Sequence, residues 1–177
     1  KYLFTYGIIV TMFLSGFTVN PISSEFNIIT DSPILQAAQE INKNENGIWL
    51  AENLDFPCQN YLEMAGCPVI NATNIYPNME LWEMLDKEKE KKYDVIYNRY
   101  AHVKMILVDN EEEIEDIFEL ISTDIIKVYI TPQDLKDMNI KYIFTVGVME
   151  EFNDENQEFE LIYNDSHNYH IYKINYK

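Results

Sequence analysis

The chain opens with an uncharged, largely apolar run, Tyr2 to Thr18, before Val19-Asn20-Pro21 breaks the pattern. A bilayer-crossing helix needs about 20 apolar residues, so this run is a little short, and Gly7 and Gly16 interrupt it. Three readings stand side by side: the outer part of a membrane helix, a signal peptide, or a buried core element. Nothing after Leu14 offers a good small-x-small cleavage site, which works against the second. Further on, Ile34, Leu35, Ala38 and Ile41 recur at helical spacing. Asp31 or Ser32 can cap that helix, Pro33 suits its first turn, and Asn46-Gly47 ends it. Ile48 to Ala51 reads as a strand. Residues 55–80, rich in Pro, Asn and Gly, read as short strands joined by ordered loops. Leu81, Trp82 and Leu85 form a helical stripe, and the alternating charges from Asp86 to Lys92 mark a solvated helix face or loop.

From Tyr100 onward the periodicity is cleaner. Val103 to Val108 reads as a buried strand. Asn110 is placed to cap an acidic helix over Glu111 to Ile121, with Ile114, Ile117, Phe118 and Ile121 on one face. Ile125 to Ile130 reads as a further strand. Thr131, Pro132 and Asp134 start a short helix with Leu135 and Met138 inward, and Lys141 to Val146 reads as a strand. Phe159 to Tyr163 and Tyr169 to Ile174, joined through Asn164-Asp165-Ser166, read as a β-hairpin. Strands alternating with short helices predict an α/β (α+β) fold: a mixed β-sheet, short flanking helices and a C-terminal β-hairpin. The organisation read from this is a membrane-helix end or anchor over 1–20 and a soluble α/β domain over 21–177.

Composition narrows the function classes. The 177 residues hold 47% hydrophobic and 14% aromatic side chains, enough apolar surface to offset chain entropy, so the chain is no disordered tail. Thirty acids face thirteen bases, a net charge of −17. A nucleic-acid partner needs a cationic surface to displace counterions, which this chain lacks. Anionic headgroups would also repel it, so any membrane association must come from apolar insertion. Cys58 and Cys67, with eight residues between them, form neither a CxxC pair nor a zinc ligand set. A disulfide between them suits an oxidising compartment; two free thiols are the plainer alternative.

No phosphate loop, dinucleotide fingerprint or nucleophile elbow is present, and five glycines leave little for a phosphate cradle. Asp165, His167 and His170 concentrate metal-ligand chemistry in NDSHNYH, but turn residues are expected there for backbone reasons alone. Tyr97 to His102 holds the single arginine, Arg99, among aromatic and amide side chains. Arg99 can anchor a carboxylate or phosphate, or simply pair with a neighbouring acid while its stem packs on tyrosine. Thirteen tyrosines suit a stacking platform for sugars, and equally a half-exposed sheet. The sequons at Asn71 and Asn164 matter only in a eukaryotic secretory route.

Segments 15–23 (SGFTVNPIS), 46–53 (NGIWLAEN), 65–86 (AGCPVINATNIYPNMELWEMLD), 97–103 (YNRYAHV), 134–145 (DLKDMNIKYIFT) and 161–175 (LIYNDSHNYHIYKIN) occur in this order. Together they resemble the C-terminal extracytoplasmic domain of bacterial multi-pass membrane proteins of the GT-C glycosyltransferase-like superfamily. The resemblance implies a tether through the N-terminus and a small α/β domain outside the cytoplasm. It implies an accessory role, with catalysis in membrane loops that these residues do not include, so no catalytic residue carries over. The implied partners are the transmembrane portion of the parent chain and a cell-surface acceptor glycan, with no cofactor. For contact with glycan the residues singled out are Trp49, Tyr76, Trp82, Asn98, Arg99 and Tyr100: rings to stack on sugar faces, Asn and Arg to hydrogen-bond hydroxyls. Two rivals are a secreted or membrane-tethered ligand-binding module and a small hydrolase using paired carboxylates.

Overall fold

Apolar side chains at every second position of residues 101–107 and 125–130 give strands that bury one face, and the two pair in parallel at the middle of one sheet. The structure is a computed structural model, and it describes residues 2–18, 31–87, 91–110 and 114–177. Residues 1–32 and 33–177 form two units, each described by itself. In the first, α1 (Tyr2–Thr18) is a helix of 17 residues whose large apolar side chains are exposed. No helix among the described residues is long and apolar enough to cross a membrane.

The second unit begins with α2 (Pro33–Asn44), which buries Ile34, Leu35 and Ala38 as the helical spacing predicts. Then follow β1 (Ile48–Ala51), a 3-10 turn (Cys58–Asn60), α3 (Tyr61–Met64), β2 (Thr73–Asn74), α4 (Met79–Leu85) and α5 (Lys91–Tyr97). The remaining elements are β3 (Ala101–Leu107), β4 (Phe118–Ser122), β5 (Ile125–Ile130), α6 (Pro132–Asp137), β6 (Ile140–Thr145), β7 (Gln157–Asn164) and β8 (His170–Tyr176). A 3-10 turn at Glu150–Phe152 precedes β7.

The mixed α+β architecture predicted from the alternation of elements is what forms, but as two four-stranded sheets rather than one. The first has the order β1-β6-β8-β7, with β1 and β6 parallel and the β7–β8 hairpin antiparallel. The second has the order β2-β3-β5-β4, with β3 and β5 parallel and the outer pairs antiparallel. The sheets meet just past β1. Glu52 N donates to Phe144 O in one sheet and Asn53 N donates to Met105 O in the other, at 2.8 and 2.7 Å. Asn71 closes the same seam, donating to Ala51 O and Val103 O and accepting from Ala51 N. Its sequon is therefore built into the interior, with Asn71 fully buried.

One core runs through both sheets. Leu50, Met105, Val128, Ile130, Leu135, Ile140 and Ile143 are completely buried in it, each worth about 2 kcal/mol of transfer free energy. Gly47 lies so close to β6 that a Cβ there would meet Lys141 Cδ at 2.6 Å, so only glycine fits the approach.

Two expectations are corrected. The helix predicted over Glu111 to Ile121 is absent from its described residues, 114–121. Residues 111–113 fall outside the described residues, and Phe118–Ser122 is an edge strand antiparallel to β5. Phe118 turns inward against Trp82, Tyr93 and Tyr97, with ring centroids 5.1–5.9 Å away, and this aromatic packing outweighs the helical spacing. Residues 55–80 hold mainly turns, a 3-10 turn and one short helix, with β2 as their only named strand. The charged run from Asp86 to Lys92 lies partly outside the described residues.

Candidate functional site

β3 alternates inward and outward along its length, so His102 and Lys104 share the outward face. Around His102 the chain gathers rings from distant segments. Phe56, from the loop after β1, lies with its ring centroid 4.5 Å from the imidazole, and Tyr100 approaches edge-on at 5.7 Å. Phe56 is 57% exposed and Tyr100 49%. The pairing of Asn74 with Ala101 places the departure of Ile75 and Tyr76 at the edge where Tyr100 leads into β3. Tyr76 is 86% exposed. Beside the rings, Lys104 Nζ meets Asp55 Oδ1 at 2.8 Å. The result is an open aromatic platform with one imidazole in its middle and an ion pair on its flank.

The polar groups beneath His102 are fixed by short contacts. His102 Nδ1 lies 2.8 Å from Thr73 Oγ1, its direct partner across the β2–β3 pair. Thr73 is in turn bound to Asn60, whose Nδ2 donates to Thr73 Oγ1 at 3.0 Å. Asn60 sits at the junction of the 3-10 turn and α3, so the loop over residues 55–64 is tied to β2 through this pair.

The singled-out residues separate into three groups. Trp49 is completely buried in β1 and stacks on Tyr142 at 4.6 Å, and Trp82 is a core residue against Phe118. Neither indole presents a face to solvent, so both leave the set of glycan-stacking residues. Arg99 donates to the carbonyls of Val95 and Thr123, which fastens the end of α5 to the turn between β4 and β5. A guanidinium that satisfies late helical carbonyls acts as a C-terminal cap, while the buried Arg99 Nε has no hydrogen-bond partner among the described residues. Asn98 is exposed next to it. Tyr100 lies at the platform, and Tyr76 is exposed two residues past the Asn74–Ala101 pair. Phe56 and His102 belong to the platform too; in the sequence His102 stands out only as a neighbour of Arg99, and no pattern marks Phe56.

Several other chemistry-bearing groups are engaged by the fold. Glu52 is 4% exposed: Thr145 Oγ1 donates to its Oε2 at 2.6 Å, and Leu107 N donates to its Oε1 at 3.3 Å. Burial holds its carboxyl above the usual range, against the opposing pull of these hydrogen bonds. In the hairpin turn, Asp165 Oδ1 accepts from His167 N and Tyr169 N, while His170 Nδ1 lies 3.0 Å from Gly147 O. Asp165 and His170 are thus spoken for by the turn and by the loop after β6. Both cysteines are free thiols. Cys58 lies 3.4 Å from Tyr169 Oη, whereas Cys67 is buried against Ala38 O, where burial pushes its thiol up to about 11. A cleft of about 320 Å³ opens beyond the carboxyl ends of β3 and β5, between Asp109, Thr131, Gln133, Lys136 and Asp154.

No curated protein and no solved structure matches the chain. Residues 28–177 match the family model described as "Domain of unknown function (DUF7654)". A match over this share of the sequence means that the chain belongs to the DUF7654 family.

Proposed function

We propose that this chain is an accessory extracytoplasmic domain of a membrane-embedded, glycosyltransferase-like protein, without a catalytic centre of its own, and that it helps to recognise the acceptor glycan. The observation that carries the reading is the exposed platform of Phe56, His102 and Tyr100. Sugars present flat C–H faces bounded by hydroxyls, and open aromatic rings beside hydrogen-bonding groups complement that shape. The ion pair of Asp55 with Lys104 supplies polar groups at the rim. The exposed apolar surface of α1 is consistent with an attachment to the membrane or to membrane helices of a parent chain.

Phe56→Ala and Tyr100→Ala test the reading directly. Both side chains are about half exposed, so truncation should leave thermal stability nearly unchanged. Glycan binding by the full chain, followed by chemical-shift perturbation, should fall about tenfold for each ring removed. Unchanged binding in the double variant would remove the platform from any role in recognition.

A further inference from the structure

The hydrogen bonds beneath the platform meet at the Thr73 hydroxyl. Thr73 N donates to Asn60 Oδ1 at 3.2 Å, so the oxygen of the Asn60 amide faces the backbone and its nitrogen faces the Thr73 hydroxyl. That hydroxyl accepts from Asn60 Nδ2 and has one proton to place. Asn60 Oδ1, which also accepts from Thr73 N, lies 3.2 Å away and can accept it, and His102 Nδ1 lies 2.8 Å away. The contact to His102 Nδ1 is the shorter of the two, and a hydroxyl proton directed there makes the imidazole the acceptor. A neutral imidazole that accepts at Nδ1 carries its own proton on Nε2. Among the described residues, Nε2 has no hydrogen-bond partner, and the ring that bears it packs against both Phe56 and Tyr100.

We infer that the Asn60–Thr73–His102 relay fixes His102 as an Nε2–H donor at the centre of the platform, making His102 the polar anchor for an uncharged saccharide. The inference rests on the glycan reading above and names its ligand class. A sugar stacked on Phe56 or Tyr100 brings a ring oxygen or hydroxyl oxygen to the imidazole edge, where an N–H is the complementary group. The charge of the neighbours selects against acidic sugars. Asp55 stands exposed beside the platform, Lys104 is already paired with it, and the whole chain carries a net charge of −17. Thr73 and Asn60 act through His102 and are positioning residues.

Two measurements on the full 177-residue chain test this. The first needs no ligand: ¹⁵N spectra of the imidazole in neutral solution should show Nδ1 as the unprotonated nitrogen and Nε2 as the protonated one. Thr73→Val should return His102 to a mixture of tautomers. The second is a titration with methyl glycosides of glucose and N-acetylglucosamine, with glucuronic acid as the charged comparison. The neutral glycosides should perturb His102, Phe56 and Tyr100, and glucuronic acid should bind more weakly. His102→Phe keeps a ring and loses the donor, so affinity should fall about tenfold. His102→Gln, whose amide can donate, should recover part of that loss, which a merely structural role would not do. Perturbations at the platform that survive His102→Phe undiminished would overturn the donor role and leave the platform reading standing. A protonated Nδ1 would overturn the relay. If no glycoside perturbs the platform at all, the glycan reading and the inference fall together.

Discussion

At the scale of single residues, Glu52 has the most determinate behaviour. Its carboxylate is buried where the two sheets meet, and desolvation raises its pKa above the usual 4.5. Thr145 and Leu107 pull the other way through hydrogen bonds, and burial prevails. A carboxyl whose folded value is raised contributes stability that is fully present below its unfolded value. That contribution is lost as pH rises through the folded value, because the ionised form is better solvated in the unfolded chain. Glu52→Gln has no proton to lose, so the stability advantage of wild type over the variant should shrink steadily from pH 4 upward. Paired thermal melts across that range check it, and an advantage that grows with pH would contradict the assignment. The acid itself was not legible in the sequence, where it is one of thirty. Only the fold brings it against Thr145, 93 positions away. The same reason hid the platform: Phe56, Thr73 and His102 come from three separate segments that meet through the β2–β3 pairing. Trp49 and Trp82 were misplaced for the opposite reason, since an indole suits a core and a sugar face alike and its position in the chain does not say which.

At the scale of elements, most of the strands and helices were legible because their burial is periodic. β3 and β5 bury alternate positions, and α6 carries a full capping box in which Thr131 and Asp134 bond each other's backbone. β4 was not legible. Only Phe118 of its five residues is buried, so no alternation exists to be seen, and the outward Ile121, with Ile114, Ile117 and Phe118, imitates the spacing of a helix face. The burden of fastening β4 to the core falls on Phe118. Its ring is 1% exposed and touches Trp82, Tyr93 and Tyr97. Phe118→Ala should cost about 3–5 kcal/mol, through lost transfer free energy and the cavity left among three rings. Urea unfolding reads this directly. Leu120→Ser, on the exposed side of the same strand, should stay within about 0.5 kcal/mol. Equal effects from the two would mean that β4 does not pack through Phe118.

At the scale of the whole molecule, an exposed apolar helix and a strongly acidic chain make opposite demands on a membrane surface. α1 has 17 residues, about 26 Å of helix, which falls short of a hydrocarbon core of about 30 Å. Its exposed Leu3, Phe4, Ile9, Phe13, Leu14 and Phe17 nevertheless offer insertion energy that none of the described residues of its own unit absorbs. The net charge of −17 works against approach to anionic lipid, over a distance that salt shortens to about 8 Å at physiological strength. The full chain should therefore bind vesicles of zwitterionic phosphatidylcholine, bind less well as phosphatidylserine is added, and regain part of that loss when salt is raised. Ile9→Asp with Phe13→Asp should abolish binding, because each charge placed in the middle of an inserted helix costs about 3 kcal/mol. Co-flotation with vesicles at two salt concentrations separates the two terms. Binding that grows with phosphatidylserine would mean that charge and not apolar insertion brings the chain to the surface. Binding that survives both aspartates would take α1 out of membrane attachment altogether, and with it the tether on which the accessory-domain proposal depends.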